Sequence, residues 1–196
     1  MGQGKMVWLL GASTGGLQAV KEFLSKVPVS RDIAFVYVQH IAEQQIDTLL
    51  RMIEKQTGWP THQAVTGQFI KPGTVTVISP EFETRLSKQG WMLCFNSRWQ
   101  GHYAPSIDQV AARLALVYKR DCGAIIFTGM GDDGAKGCQT IKDRGGKVWV
   151  QDPTDCTAPT MPEAVIQRKS ADFVGTAGQL AQKMCMEMEQ MEACSQ

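Results

Sequence analysis

Short apolar runs rich in branched residues alternate with segments of helical period along most of the chain. The runs at residues 5–10, 33–39, 124–127 and 147–150 predict buried strands of a parallel sheet. The amphipathic segments between and after them predict helices at residues 17–27, 46–57, 107–119, 135–144 and 162–167, and from about residue 180 onward. This alternation predicts an α/β fold with a doubly wound, mainly parallel, Rossmann-like sheet and helices on both faces.

The middle of the chain has a different pattern. Short β-type runs at residues 75–79, 84–87 and 91–95 predict strands, and a turn containing Gly90 joins the last two. We expect these two to form a small β-hairpin at one edge of the sheet. Since no repeat or linker interrupts the pattern, residues 1–196 are predicted to form a single domain, with residues 1–4 set aside as a cloning remnant.

Composition narrows the classes of function. Hydrophobic residues make up 43% and charged residues 20% of the 196 positions, as in an ordinary globular protein. The formal net charge of +1 gives no indication of nucleic acid or an anionic membrane as a partner. The longest apolar stretches, at residues 6–10 and 33–38, are too short to span a bilayer, and the N-terminus lacks a signal-peptide pattern. A cytoplasmic protein without membrane insertion is expected.

The six cysteines raise the questions of metal binding and disulfides. No two of them form a Cys-x-x-Cys pair, and no histidine lies near them at ligand spacing. A chain of this length needs no disulfides to stabilise its core. We therefore expect no metal, no cofactor and no disulfide. The cysteines are interpreted as small buried hydrophobic residues or surface thiols: Cys94, Cys122, Cys138, Cys156, Cys185 and Cys194.

Three residues with hydrolytic chemistry follow predicted strands. Ser13 lies in Gly11-Ala12-Ser13-Thr14-Gly15, a Gly-x-Ser-x-Gly turn between a strand and a helix, which is the context of a nucleophilic serine. His40 follows the second strand, and Asp132-Asp133 lie in a glycine-rich turn after a later one. Because ligands bind at the carboxyl ends of strands in such sheets, the pattern predicts a serine nucleophile with a histidine base and a carboxylate.

Two other interpretations remain open. A glycine-rich turn after the first strand is also typical of a nucleotide- or phosphate-binding module without hydrolase activity. Against it, Gly11-x-x-x-Gly15-Gly16 does not match the dinucleotide fingerprint, and Gln39-His40 stand where an acidic residue would bind a ribose. The other open interpretation is a degenerate enzyme that acts as a scaffold of a receptor array. The intact residues Ser13, His40 and Asp133 argue against it.

At these residues the sequence resembles the catalytic domain of the chemotaxis protein-glutamate methylesterases, the CheB family. The similarity extends from about residue 7 to the final helix. It is carried by the segments Gly11-Ala12-Ser13-Thr14-Gly15-Gly16, Val38-Gln39-His40-Ile41, Pro105-Ser106-Ile107-Asp108, Thr128-Gly129-Met130-Gly131-Asp132-Asp133-Gly134 and Met161-Pro162.

The resemblance implies an activity and the roles of residues. The family hydrolyses glutamate methyl esters on the cytoplasmic helices of chemoreceptors, releases methanol, deamidates certain receptor glutamines, and needs no cofactor. By this resemblance Ser13 is the nucleophile, His40 the general base and Asp133 the carboxylate that orients it. The backbone amides of Thr14 and Met130 are the expected oxyanion donors.

The resemblance also leaves differences from the family. Family members usually carry an N-terminal receiver domain, whereas this chain starts at the first catalytic strand, so the domain is expected to be separate or missing. The segments at residues 101–104 and 157–160 depart from the family pattern near the expected substrate contacts. The resemblance therefore supports the assignment of the triad residues more strongly than that of the substrate. The expected substrate-binding residues are Gln39, Arg98, Tyr103 and Ser106.

Overall fold

A computed structural model describes residues 6–194, and within them the chain forms nine strands and six α-helices. The expectations for residues 1–4, and the first residue of the predicted first strand, lie outside these residues. The strands are β1 (Met6–Ala12), β2 (Ile33–Gln39), β3 (Thr61–Gln63), β4 (Val75–Val77), β5 (Glu83–Leu86), β6 (Met92–Phe95), β7 (Cys122–Ile126), β8 (Lys147–Gln151) and β9 (Phe173–Gly175). The helices are α1 (Gly16–Lys26), α2 (Ile46–Thr57), α3 (Ile107–Tyr118), α4 (Ala135–Asp143), α5 (Thr160–Gln167) and α6 (Ala177–Cys194).

Seven of the strands form one sheet in the order β3-β4-β2-β1-β7-β8-β9, and every pairing in it is parallel. This confirms the predicted doubly wound α/β fold. The predicted hairpin is β5–β6, which pairs antiparallel as a separate two-stranded sheet. The edge strands β3 and β9 were not predicted, because neither three-residue strand lies in a longer apolar run, as β4 does.

Two apolar layers cover the sheet, because successive side chains of a strand point to opposite faces. Trp8 and Leu10 of β1 pack on the face covered by α1, α2 and α6, whereas Leu9 packs on the opposite face. The opposite layer is built by α3, α4, α5 and the hairpin residue Met92. Within residues 6–194, none of the helices is long and apolar enough to cross a membrane.

Strand β1 lies at the point where the sheet changes direction. The chain passes from β1 to β2 on one side and later returns to β7 on the other, which opens a crevice beyond the carboxyl ends of these strands. Ala12 pairs with Gln39, and Gly11 pairs with Ile126. Ser13 and His40 follow β1 and β2, and they therefore leave the sheet side by side. Their backbones are about 5 Å apart, the spacing of neighbouring strands.

Candidate active site

Ser13 lies in a tight turn between β1 and α1. Its amide donates to the carbonyl of Thr128 at 3.1 Å, and its carbonyl accepts from the amide of Gly16 at 2.9 Å. Gly15 has a φ of 77°, and a Cβ atom there would lie 2.5 Å from the side chain of Thr157. Only glycine accommodates both conditions, so the turn that carries Ser13 depends on this position.

His40 and Asp133 form the central contact of the site. The Nε2 atom of His40 lies 2.9 Å from Oδ2 of Asp133, although the residues are 93 positions apart in the chain. The His40 side chain is 15% exposed and that of Asp133 is 1% exposed. The imidazole thus has one edge fixed by a buried carboxylate and remains accessible from the crevice.

The carboxylate of Asp133 is held by the N-terminus of α3. Its two oxygens accept the backbone amides of Ile107 at 2.7 Å and Asp108 at 2.9 Å, and the hydroxyl of Ser106 at 3.3 Å. These amides are among the donors that a helix leaves without an internal acceptor, and the helix dipole favours negative charge there. The local structure of α3 therefore fixes Asp133 in the orientation in which Oδ2 faces His40.

This contact determines which nitrogen of His40 can act as a base. When Nε2–H donates to Asp133, the neutral ring carries its free lone pair on Nδ1. Within residues 6–194, the Oγ atom of Ser13 makes no hydrogen bond, so the contact with Nδ1 that proton transfer needs is not formed in this structure. Looser contacts of this kind are common in sites without a bound substrate.

Two backbone amides beside Ser13 are available to a ligand. In the described part of the chain, the amides of Thr14 and Met130 have no hydrogen-bond acceptor, whereas neighbouring amides are paired: Ser13 with Thr128, Gly129 with Ala158 and Gly131 with Thr160. A Cβ atom on Gly129 would lie 2.7 Å from Cβ of Ser13, so the segment carrying Met130 passes directly beside Ser13. The arrangement is suited to binding a negatively charged oxygen.

Comparison with known proteins identifies the family to which this chain belongs. A family model described as CheB methylesterase matches residues 8–184. This chain belongs to the CheB methylesterase family. The crystal structure of the Thermotoga maritima CheB methylesterase catalytic domain matches with a TM-score of 0.86 and 28% identity, over 93% of this chain and 98% of that chain.

Two relatives of the CheB family differ in length. The protein-glutamate methylesterase/protein-glutamine glutaminase of Thermotoga maritima is 30% identical over 184 residues, which cover 92% of this chain and 53% of the relative. A Leptospira interrogans protein whose name gives the same activity provisionally is 30% identical over 174 residues, which cover 89% of this chain and 90% of the relative. The chain thus spans about half the length of the Thermotoga protein and most of the Leptospira protein.

Tyr103 lies against the candidate base. Its ring stacks on that of His40 with centroids 5.2 Å apart and planes 9° from parallel, and its hydroxyl donates to Asp132 at 3.1 Å. Arg98 is exposed and lines a groove of about 740 Å³ together with Glu43 and Ala104, next to Tyr103 in the chain. The substrate contacts of Tyr103 and Arg98 stay predictions.

Gln39 and Ser106, also expected at the substrate, lie beneath the site instead. The Gln39 amide is buried and donates to the carbonyls of Ser13 at 2.9 Å and His40 at 3.3 Å, while accepting from the hydroxyl of Tyr37. Ser106 is buried, donates to Asp133, and caps α3 by accepting the amide of Gln109. Because protein atoms already use these polar groups, the geometry favours a supporting role over the expected substrate contact.

Asp108 is a supporting residue that the sequence reasoning missed. It lies in the first turn of α3, and its Oδ1 accepts the amides of Gly134 at 2.9 Å and Gly137 at 2.7 Å at the start of α4. Burial raises the pKa of Asp108, and the amide of Gly137 opposes this shift. Asp133 thus accepts the first amides of α3, and Asp108 of α3 accepts amides at the start of α4. Asp108 could have been noticed only as an acid in the first turn of a helix, which is a common feature.

The structure also bears on the cysteines. Nowhere in the described residues do three or more His, Cys, Asp or Glu side chains converge as a metal site requires. The described cysteines are free thiols, and burial raises the pKa of Cys122 to about 12 and that of Cys156 to about 11. These thiols are consequently poor nucleophiles at neutral pH.

Proposed function

We propose that this protein is a serine esterase that hydrolyses glutamate methyl esters on the cytoplasmic helices of chemoreceptors, releases methanol, and also deamidates receptor glutamines. The observation that carries the proposal is the 2.9 Å contact between His40 and Asp133 beside Ser13. The names of the relatives, which give both a methylesterase and a glutaminase activity, support the reaction and its substrate class.

In the first half of the proposed reaction, Ser13 becomes acylated. Its Oγ attacks the ester carbonyl while Nδ1 of His40 takes the hydroxyl proton, and the amides of Thr14 and Met130 stabilise the oxyanion. The C–O bond to the methoxy group then breaks, and His40 returns the proton so that methanol leaves. Asp133 keeps the ring in the required tautomer throughout.

Water completes the reaction in the second half. His40 takes a proton from a water molecule, whose oxygen attacks the acyl-enzyme, and the ester bond to Ser13 breaks as its Oγ recovers the proton. The product is a glutamate side chain. A glutamine substrate follows the same route with ammonia as the leaving group.

The expected partner is the helical bundle of a methylated chemoreceptor, and the expected compartment is the cytoplasm. The groove beside Arg98 is lined by Glu43, three residues after His40, and by Ala104, next to Tyr103, so we take it as the path of the receptor helix. The net charge of +1 gives no support for nucleic acid as a partner.

Release of labelled methanol from methyl-labelled receptor membranes tests the proposal. Ser13→Ala should reduce turnover by about 10³-fold or more while leaving the fold intact. Ser25→Ala is the matched control, because Ser25 is an exposed serine on α1 that bonds only the carbonyl of Glu22. Near-normal methanol release by Ser13→Ala would show that another residue is the nucleophile.

A further inference from the structure

Thr128 joins the segments that carry the two candidate oxyanion donors. It follows β7 by two residues and is only 2% exposed. Its backbone amide donates to Oε1 of Gln151 at 2.9 Å, and its carbonyl accepts the amide of Ser13 at 3.1 Å. The main chain of Thr128 is therefore fixed to the end of β8 on one side and to the serine turn on the other.

The hydroxyl of Thr128 reaches two further loop positions. Its Oγ1 lies 3.0 Å from the carbonyl of Thr14 and 3.0 Å from that of Ala158, and it accepts the amide of Ala158 at 2.8 Å. A hydroxyl has one hydrogen, so the two carbonyls share a single donor. One buried oxygen thus connects the serine turn with the loop that precedes α5.

These bonds lie on both sides of the amide of Thr14. The preceding residue, Ser13, is held through its amide, and Thr14 itself through its carbonyl, and both bonds are to Thr128. The other free amide belongs to Met130, two residues further along the same segment. Between them, Gly129 donates to the carbonyl of Ala158 at 2.9 Å, the same residue that Oγ1 contacts. The positions of both free amides thus depend on Thr128.

We propose that Thr128 is a positioning residue whose hydroxyl sets the separation and direction of the two oxyanion donors, the amides of Thr14 and Met130. The inference rests on the proposed esterase function and adds to it a residue that does not touch the substrate. Oxyanion stabilisation acts mainly on the transition state. Loss of the hydroxyl should therefore lower kcat and change KM little.

The matched pair Thr128→Val and Thr128→Ser separates the hydroxyl from the shape of the side chain. Valine keeps the branched shape and leaves the carbonyl of Thr14 and the amide of Ala158 unpaired, whereas serine keeps the hydroxyl. We expect Thr128→Val to lower kcat for methanol release by about 10- to 100-fold with KM within about threefold, the size of effect that a small misplacement of catalytic groups causes. Thr128→Ser should stay within about threefold of wild type.

A second measurement uses a fluorophosphonate, which reacts when a serine Oγ bonds to phosphorus and fluoride leaves. The rate at which it labels Ser13 should fall in Thr128→Val alongside kcat, and the labelled fraction at completion gives the concentration of folded sites. If Thr128→Val does not fold, Thr128→Ala replaces it, with the same expected fall in kcat per labelled site.

The outcomes distinguish this inference from the proposed function. A wild-type protein that releases no methanol and is not labelled at Ser13 would contradict the esterase proposal itself. An active wild type together with unchanged kcat per labelled site in the variant lacking the hydroxyl would overturn the role of Thr128. A Thr128→Ser protein as slow as Thr128→Val would also overturn it, because the effect would then come from packing.

Discussion

At the scale of single residues, Asp133 is a buried carboxylate whose oxygens are occupied by several hydrogen-bond donors. Its carboxylate accepts from His40, from two backbone amides of α3 and from Ser106. Asp133→Asn replaces one accepting oxygen with an NH₂ group that faces other donors. We expect kcat for methanol release to fall by about 10³- to 10⁴-fold, and the free energy of unfolding to fall by about 1–3 kcal/mol. Steady-state kinetics and urea unfolding measure the two effects.

The neighbouring Asp132 provides the control for that substitution. Asp132 is exposed and accepts the hydroxyl of Tyr103, a bond that the amide oxygen of asparagine can also accept. Asp132→Asn should therefore stay within about threefold of wild type, since an exposed substitution that keeps its hydrogen bond changes little. If Asp132→Asn were the more damaging of the two, the carboxylate would have been assigned to the wrong residue.

Tyr103 allows a test between substrate binding and positioning of His40. Tyr103→Phe keeps the ring stacked on His40 and removes the bond to Asp132, whereas Tyr103→Ala removes the stacking. We expect Tyr103→Phe to keep kcat within about threefold and Tyr103→Ala to lower it by about tenfold, because a mobile imidazole spends less time in the reactive geometry. A rise in KM with unchanged kcat in Tyr103→Ala would instead favour the substrate contact.

At the scale of secondary-structure elements, the β5–β6 hairpin is attached to α3 by an ion pair. Glu83 of β5 is 2% exposed and binds Arg113 of α3 at 2.8 Å and Arg85 at 2.7 Å. The hydrogen bond from Arg85 is the largest cause that lowers the pKa of Glu83, and the charge of Arg113 acts in the same direction. The stabilisation by Glu83 is therefore fully present above the unfolded-state pKa, about 4.3, and is lost as the pH falls through the lower folded-state value.

Glu83→Gln tests this attachment through its pH dependence. At pH 7 we expect the free energy of unfolding to fall by about 1–3 kcal/mol, and the difference from wild type should shrink as the pH approaches 3. Urea unfolding across this range measures it. Glu22→Gln breaks an exposed pair with Lys26 and should have a small, salt-sensitive effect. A difference that stayed constant with pH would mean that Glu83 stabilises the hairpin by packing.

At the scale of the whole molecule, the sequence predicts the elements that carry long patterns. The predicted bounds of β2 and α2 match the structure, since a run of six apolar residues and a twelve-residue helix with a following glycine are strong signals. The short edge strands β3 and β9 form only because a neighbouring strand supplies their hydrogen bonds, which no local pattern records.

In the candidate site, too, some residues could be predicted from the sequence and others could not. Ser13, His40 and Asp133 could be proposed because each follows a strand end, and parallel strands bring their carboxyl ends to one edge. Residues whose role depends on burial could not be assigned in this way. Gln39 and Ser106 are polar residues near the crevice in sequence, yet both side chains are buried beneath it. The bond of Thr128 to Thr14 joins residues 114 positions apart, so only the folded chain reveals it.

The separation of the hairpin from the main sheet has a consequence for the stability of the site. Strands β1, β2 and β7 lie at the centre of the seven-stranded sheet, whereas β5–β6 is a separate two-stranded pair, which depends on its packing against α3 and the core for stability. We expect amide hydrogens of the hairpin to exchange at least about tenfold faster than those of β1, measured by hydrogen exchange with mass spectrometry. Glu83→Gln should speed exchange in the hairpin and leave that of β1 much less affected.

Because Ser13 and His40 follow the central strands, loss of activity in urea should coincide with the unfolding of β1 and not with the earlier opening of the hairpin. Methanol release and hydrogen exchange measured over the same urea series test this order. Equal exchange rates in the hairpin and β1 would mean that both sheets unfold as one unit. Activity lost at the urea concentration that opens only the hairpin would show that the reaction depends on the hairpin, whose flanking residues Glu81 and Asn96 line the groove.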